Sequence, residues 1–407
     1  STLQACRDSF TGLLIPGTLA LVTAFVSFIT LLLIPIPMVR ELAITASLGV
    51  GFKIITNLVM LPVAASFFEV DKAYADTAML KREQRAGWLR SLARCAEPRH
   101  AAWVLAATGL VFAAALWQSR DRVVGTLQPG APELREDARF NRDAVAIATH
   151  YDTGLDWLTV VFEQAAGGST GSTGGGAAAP PADCDNVNIG LLQERFVWAL
   201  QPVPGVLSIN SYAGQLKLYN EGYNEGNPKM GVVPLDAGNY AALSTEIARI
   251  RGTMRKDCSM TAVHLYLTDH KAATIHRVIA AVQDFRATQG EPGVTIRLAA
   301  GNAGVLAAID DEVERSELPM MLYVYGAIVV LVFAVYRDWR AVLACCLPLT
   351  VGTFIGYWFM KELQIGLTVA TLPVMVLAVG IGVDYAFYIY NRLQLHLAGG
   401  QPIVKAI

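Results

Sequence analysis

The chain has 407 residues, of which 54% are hydrophobic and only 16% are charged. A soluble domain carries about 25% charged residues, so this composition excludes an ordinary soluble protein and indicates a membrane protein with a sizeable polar part. The net charge of −2 carries little information because the charges are segregated by region. We expect no nucleic-acid partner.

Six apolar stretches have the length of about 17–25 residues that a membrane-spanning helix needs. They are Gly12–Met38, Leu42–Phe68, Ala101–Gln118, Leu318–Val335, Ala341–Met360 and Leu372–Asn391. Pro35 and Pro37 indicate a sharp turn between the first two. We therefore predict a two-helix hairpin over 1–68, one helix over 101–118 and three helices over 318–393.

Lysine and arginine residues in short loops predict the orientation of these helices. They concentrate in 69–100, in the turn 336–340 and after the sixth helix, which places these segments and the tail 394–407 in the cytoplasm. The large polar region 119–317 then lies outside the cytoplasm. Within 69–100, residues 78–95 form a basic amphipathic pattern, which fits a helix on the inner membrane surface or a solvated linker helix.

The polar region 119–317 has the pattern of an α+β domain. Short apolar runs predict strands at Leu155–Glu163, Ala262–Thr268 and Val294–Leu298, and helical spacing predicts Ile189–Leu200, Tyr240–Lys256 and Ala273–Thr288. The Gly/Ser/Ala/Pro-rich stretch 164–183 predicts a flexible linker. The predicted fold class is a polytopic α-helical membrane protein with an α+β, porter-like extracytoplasmic domain.

Two of the six cysteines, Cys184 and Cys258, lie in the polar region. Outside the cytoplasm they could form a disulfide bond, and the alternative of two free thiols stays open. The cysteine and histidine spacings do not match those of a metal site. We find no hydrolase triad or nucleotide motif, so we expect neither an enzyme nor a bound cofactor.

The most informative residue is Asp384, a carboxylate in the middle of the sixth apolar stretch. A charge at mid-bilayer costs about 2.5–3.5 kcal/mol by insertion scales, so a retained carboxylate indicates a proton or ion relay. The alternative is a polar residue that only joins helices by hydrogen bonds. Tyr385 could donate to the carboxylate or to a neighbour, and Gly380 and Gly382 predict close packing against a partner helix.

Lys53 is the other charge well inside an apolar stretch. It could be a counter-ion for an acidic group, extend to the membrane interface or form a structural pair. Thr56 and Asn57 follow it and could line the same polar seam.

Several motifs resemble the resistance–nodulation–division (RND) superfamily, most closely its hydrophobe and lipid exporters of the mycobacterial-membrane-protein-large (MMPL) type. The sixth stretch, with Gly380–Tyr385 and then Tyr390–Arg392, resembles that family's tenth helix, which carries an Asp-Tyr pair. Further similar segments are Phe10–Phe68, with Pro35–Arg40 and Leu48–Gly51, and the stretch Leu298–Glu312.

The resemblance implies a twelve-helix protein built from two repeats, of which this chain holds helices five to ten and the second periplasmic domain. Because the chain begins with Ser1, we expect it to be part of a longer protein, and the resemblance implies that the other half of the relay is not in this sequence. The implied function is proton-driven export of hydrophobic or lipid-like molecules from the bacterial inner membrane, with Asp384 and Tyr385 as relay residues and protons as the coupling ion. A charged helix at 309–317 either transmits movement to the periplasmic domain or is a solvated extension.

The expected partners are membrane lipids, a hydrophobic or lipid substrate, and either a second copy of the chain or an accessory periplasmic protein. Two other functions stay open with the same fold. One is a lipid-sensing membrane protein that does not transport, and the other is an accessory protein for polypeptide export.

Overall fold

The computed structural model describes residues 2–67, 77, 97–131, 134–164, 184–250 and 252–399. The chain forms two compact units, which are described separately. The membrane unit consists of Ser1–Val124 and Asp310–Ile407, and the α+β unit is Gly125–Ile309. The predicted cytoplasmic segment 69–100 and linker 164–183 lie almost wholly outside the described residues, as do the last eight residues of the tail 394–407.

The described residues form helices and strands in the following order. The helices are α1 (Thr2–Thr30), α2 (Pro37–Ile55), α3 (Leu61–Ser66), α4 (Pro98–Gln118), α5 (Arg139–His150), α6 (Val187–Leu200), α7 (Tyr212–Tyr223), α8 (Ala237–Ile247), α9 (Ala272–Gln289), α10 (Asn302–Tyr336), α11 (Trp339–Glu362) and α12 (Thr371–Ala398). The strands are β1 (Trp157–Gln164), β2 (Val206–Ser211), β3 (Met260–Leu267) and β4 (Val294–Ala300). Short 3₁₀ turns lie at Leu31–Leu33, Ser119–Asp121 and Pro228–Met230.

Five helical segments within the described residues are long and apolar enough to cross a membrane. They are Pro37–Ala64, Arg99–Asp121, Asn302–Tyr336, Trp339–Glu362 and Thr371–Ala398. The first predicted stretch corresponds to a shorter apolar helix, Gly17–Leu33. The helix that contains the fourth predicted stretch is longer than predicted. It is α10, which starts at Asn302, within the predicted polar region 119–317.

Proline and a π turn shape the hairpin at the start of the chain. Pro37 is the first residue of α2, a position where its fixed φ suits the helix and its missing N–H is not needed. Arg40 Nε donates to the Ile34 carbonyl oxygen at 3.0 Å and closes the turn. After α2, residues Thr56–Met60 form a π-helical turn before α3, and such turns often lie at functional positions.

In the membrane unit, α12 packs against both α1 and α11, and α11 packs against α4. The buried stripe of α12 repeats every three or four residues, as expected for one helix face. It consists of Leu372, Met375, Val376, Val379, Gly380, Val383 and Phe387. This packing places the middle of α12 between two neighbouring helices.

The α+β unit is built on an antiparallel sheet with strand order β2-β3-β1-β4. The connection from β1 to β2 passes over β3, and the connection from β3 to β4 passes over β1, so both are split βαβ units. Helices α6, α9 and the start of α10 cover one face. Their core includes Phe162, Phe196 and Phe285, whose rings meet edge to face at 5.3 and 5.1 Å. The sheet and its helices confirm the predicted fold class.

Helices α7 and α8 pack beside α6 in a second cluster, in which Tyr212 and Tyr240 are 2% exposed. Helices α5 and α7 and the short strand β2 are not predicted from the sequence. The predicted helix at 240–256 is too long, since α8 ends at Ile247. Gly252 has φ +93°, a left-handed conformation that a helix cannot continue through.

A disulfide bond joins Cys184, just before α6, to Cys258, just before β3. The two Cα atoms are 5.3 Å apart and the bond closes a loop with a sequence separation of 74. Gln164 Nε2 donates to the Cys258 carbonyl oxygen at 3.1 Å, which fixes the end of β1 to the same point.

Residues near the start and near the end of the α+β unit meet at one hydrogen-bonded group. Thr126 Oγ1 donates to the His270 carbonyl oxygen at 2.8 Å. His270 Nδ1 donates to Asp156 Oδ1 at 2.7 Å, and Asn302 Nδ2 donates to the same carboxylate at 2.7 Å. The segments by which the chain starts and leaves this unit are therefore side by side.

Candidate functional site

Asp384 lies in the middle of α12, a helix of membrane-spanning length, and its side chain is half-buried. Its neighbour in sequence Val383 is completely buried, as is Phe387 one turn further on. The carboxylate therefore lies at the border of the packed face of the helix, where it can meet polar groups on a neighbouring helix.

The partner of this carboxylate is Thr23 of α1, whose hydroxyl Oγ1 lies 3.0 Å from Asp384 Oδ1. Thr23 is 1% exposed, so water does not compete for the hydroxyl. The same oxygen lies 2.8 Å from the Ala20 carbonyl oxygen and 3.1 Å from that of Leu19. A hydroxyl has a single hydrogen, which it can donate either to the carboxylate or to its own helix.

Helices α1 and α12 run in opposite directions along this contact. Gly380 faces Ser27, and Asp384 bonds to Thr23. The Tyr388 hydroxyl lies 3.5 Å from the position that a Cβ on Gly17 would take. Ser27 Oγ donates to the Thr23 carbonyl oxygen at 2.8 Å, so this side chain also hydrogen-bonds within its own helix. The absence of a side chain at Gly380 allows the two helices to approach closely at the turn before Asp384.

Gly382 lies on the opposite side of α12, against α11. A Cβ built there would meet Leu349 Cδ1 at 2.9 Å. The two glycines of the Gly-Ile-Gly sequence thus contact different helices, α1 through Gly380 and α11 through Gly382.

Tyr385 points away from the carboxylate beside it in sequence. Successive residues of a helix are 100° apart and do not face each other. The Tyr385 side chain is 70% exposed in this chain, and its hydroxyl has no hydrogen bond to any residue that the structure describes. The structure thus places Thr23, and not Tyr385, against Asp384.

Lys53 of α2 lies near enough to Asp384 to attract the carboxylate electrostatically. The two groups do not form an ion pair within 4.0 Å among the described residues. Thr56 and Asn57 lie in the π turn and are exposed, and Thr56 Oγ1 donates to the Lys53 carbonyl oxygen at 3.2 Å. The structure therefore brings Lys53 toward the site, whereas the Thr56 hydroxyl bonds back to its own helix.

Thr23 and Ser27 are not among the site residues predicted from the sequence. A signal was present, because Thr23, Ser27 and Thr30 repeat at i, i+4 and i+7 and form a polar stripe on an otherwise apolar helix. All three side chains are buried. The described residues contain no group of three His, Cys, Asp or Glu side chains that could hold a metal ion.

Comparisons with known protein families and with curated proteins give no match to this sequence. Solved structures do match its fold. The cryo-EM structure of the hedgehog release protein Disp from the water bear (Hypsibius dujardini) aligns with a TM-score of 0.58 and 12% sequence identity, covering 98% of this chain. The crystal structure of SecDF in its super-membrane-facing form gives a TM-score of 0.44 and 14% identity, covering 100% of this chain.

The chain spans about half the length of the Disp structure, 51%, and 41% of the SecDF structure. At 12% identity the likeness to Disp shows the fold alone. Together with the five membrane-length helices and the antiparallel sheet, it shows a multi-pass membrane protein with a fold similar to that of the Disp structure.

Proposed function

We propose that the protein is a proton-driven exporter of hydrophobic or lipid-like molecules, of the MMPL type within the RND superfamily. The observation that carries this proposal is the Asp384 carboxylate, which is half-buried in a membrane-length helix and hydrogen-bonded to Thr23 of α1. An acid in this position is costly, so its presence there supports a role in moving charge. We further place the protein in the bacterial inner membrane, with the α+β unit on the periplasmic side.

The chemistry of the relay follows from the single hydrogen of the Thr23 hydroxyl. While Asp384 is ionised, this hydrogen is donated to Oδ1. When a proton binds the carboxylate, the new acid O–H donates to Thr23 Oγ1, and the threonine hydrogen turns to the Ala20 carbonyl oxygen, 2.8 Å away. No buried donor or acceptor of the pair loses its partner in either state, so the proton can be taken up and released reversibly.

Protonation also removes the negative charge that attracts Lys53. We infer that α2 and α12 then move more freely against α1, which is the conformational step of export. A charge that crosses a potential of 100 mV gains about 2.3 kcal/mol, enough to drive such a step. Protons are the coupling ion, and the proposed partners are membrane lipids, the hydrophobic substrate, and a second copy or an accessory periplasmic protein.

The experiment uses the full-length protein in proteoliposomes that contain a pH-sensitive dye. After an imposed pH gradient, the wild type is expected to carry protons inward, and Asp384→Asn is expected to abolish this flux with insertion unchanged. Asp338→Asn is the matched control, because Asp338 caps α11 from the loop and asparagine caps a helix equally well. Wild-type flux in Asp384→Asn would exclude the proposed relay.

Release of a protein substrate is the second candidate, because the Disp structure with the same fold is that of a hedgehog release protein. Lipid sensing without transport is a third function that the same fold allows. Both predict lipid or polypeptide binding to nanodisc-embedded protein that is the same in wild type and Asp384→Asn. Proton-coupled export instead predicts that wild type and Asp384→Asn differ in substrate transport when a pH gradient is applied across proteoliposomes.

A further inference from the structure

The end of α4 carries an exposed arginine with an aromatic ring beneath it. The Arg120 guanidinium lies over the indole ring of Trp117, 5.5 Å from its centroid. Arg120 is exposed, and it forms no ion pair with any residue that the structure describes. The two side chains therefore present an unneutralised positive charge on a flat apolar ring, at a place that the proposed relay does not use.

Trp117 belongs to a strip of exposed apolar side chains along α4. Trp103, Leu110 and Trp117 are spaced by seven residues and therefore lie on one face of the helix. They are 79%, 72% and 70% exposed, although α4 has membrane-spanning length. Tryptophan is enriched at membrane–water interfaces, and the rise of a helix separates these two indoles by about 21 Å. The strip therefore faces lipid acyl chains, and Arg120 lies at the level of the lipid headgroups.

Two further basic side chains lie beside Arg120, and both are already paired. Lys361 Nζ at the end of α11 donates to Asp121 Oδ2 at 3.1 Å, and Arg122 Nη2 donates to Glu317 Oε2 at 2.7 Å. The acids nearest to Arg120 in the described part of the chain are thus taken by the other two cations. Arg120 is left to bind an anion from outside the protein.

The chemistry of this group favours an anionic phospholipid. Glu362, the acid that follows Lys361, accepts a hydrogen bond from Trp358 Nε1 on its own helix at 3.1 Å. A guanidinium binds phosphate through two parallel N–H groups while one of its faces stays on an aromatic ring. A zwitterionic headgroup would bring an ammonium group next to three basic side chains, whereas an anionic headgroup brings only the phosphate charge.

We propose that Arg120 and Trp117 form a binding site for the phosphate group of an anionic phospholipid. The guanidinium holds the phosphate, and an acyl chain of the lipid lies along the strip of Trp103, Leu110 and Trp117. A general attraction of basic loops to the membrane surface does not require stacking on Trp117, so the two explanations differ in which arginine matters. This inference requires only that the chain spans a membrane, and it does not depend on proton coupling at Asp384.

Native mass spectrometry of the full-length protein in detergent, titrated with phosphatidylglycerol or phosphatidylcholine, tests the site. The wild type is expected to bind phosphatidylglycerol more tightly than phosphatidylcholine. Arg120→Gln should raise the apparent Kd for phosphatidylglycerol about fivefold or more, which is the contribution of one arginine near an anionic surface. Arg120→Lys keeps the charge but loses the fork, so it should recover only part of the affinity.

Arg99→Gln is the matched control, because Arg99 is exposed at the opposite end of the same helix and is not stacked on Trp103 in the described part of the chain. It is expected to leave the affinity for the first bound phosphatidylglycerol unchanged. Thermal unfolding of each variant excludes loss of the fold as the cause of weaker binding. An equal loss in Arg99→Gln and Arg120→Gln would show attraction by general charge and overturn the proposal, as would wild-type affinity for phosphatidylglycerol in Arg120→Gln.

Discussion

Ser27 occupies the space that a side chain at residue 380 would need. A Cβ built on Gly380 would lie 2.4 Å from Ser27 Oγ and 2.9 Å from Ser27 Cβ. Real Cβ atoms do not come this close to other atoms, so this contact between α1 and α12 requires glycine. One turn further along α12, the same contact brings Asp384 to Thr23.

Gly380→Ala should therefore force α1 and α12 apart. Overpacking of this kind costs about 1–3 kcal/mol, and the Asp384–Thr23 hydrogen bond should weaken with it. Thermal unfolding in nanodiscs measures the loss. Gly352→Ala in α11 is the control, because a Cβ there meets nothing within 4 Å and alanine favours a helix interior. Equal stability of the two variants would contradict the close contact.

Thr23→Val removes the hydroxyl and keeps the shape of the side chain. A hydrogen bond to a charged group contributes about 1.5–3 kcal/mol, so we expect proton flux to fall by about tenfold or more. Thr23→Ser restores the hydroxyl and should restore most of the flux. Thr30→Val is the control on the same stripe, since among the described residues Thr30 Oγ1 donates only to the Ser27 carbonyl oxygen. If Thr23→Val and Thr30→Val showed the same proton flux, Thr23 would have no role in the relay.

Reduction of the Cys184–Cys258 bond should destabilise the α+β unit. Releasing a loop with a sequence separation of 74 costs about 4 kcal/mol by loop entropy. The Tm of the full-length protein should fall when a reductant is added, and Cys184→Ser should lower it without reductant. Cys345→Ser, at a free thiol in α11, should leave this response to reductant intact. A Tm that is insensitive to reductant would show that the bond does not stabilise the unit.

The α+β unit should lose stability at alkaline pH through two buried tyrosines. Burial raises the pKa of Tyr212, and burial together with the neighbouring Tyr212 raises the pKa of Tyr240. An unfolded tyrosine has a pKa near 10, so their stabilisation is fully present below about pH 10 and is lost as pH rises above it. Unfolding as a function of pH should show this loss, and Tyr212→Phe should make it less steep.

Tyr212→Phe keeps the edge-to-face contact with Tyr240, whose ring centroid is 6.2 Å away, and removes the hydroxyl bonded to Ser244. Tyr223→Phe is the control, since Tyr223 is 67% exposed. The same pH dependence in both variants would show that Tyr212 does not titrate on unfolding.

The sequence predicted the features that depend on local pattern. Apolar length located the membrane helices, and alternating residues located β1, β3 and β4. A lone carboxylate in an apolar stretch identified Asp384. The short strand β2 was missed because Val206–Ser211 has no clear alternation, and its residues are mostly only half-buried.

Pairings between distant residues could not be predicted in the same way. Thr23 and Asp384 are 361 residues apart in the chain, and only the packing of α1 on α12 brings them together. The sequence allowed Tyr385 to donate either to the carboxylate or to a neighbour, and the family resemblance implied that it is a relay residue. Helix geometry separates the two adjacent side chains by 100°, and in the structure the hydrogen-bond partner of Asp384 comes from α1.

The group formed by Thr126, Asp156, His270 and Asn302 has a consequence for how such a chain is assembled. Because segments near the two ends of the α+β unit meet, the points where the chain enters and leaves this unit are close together, as they are at the ends of a short loop. A segment with this property can be gained, exchanged or duplicated between two helices without stretching the backbone on either side. The helices and the α+β unit could therefore have diverged in sequence at different rates.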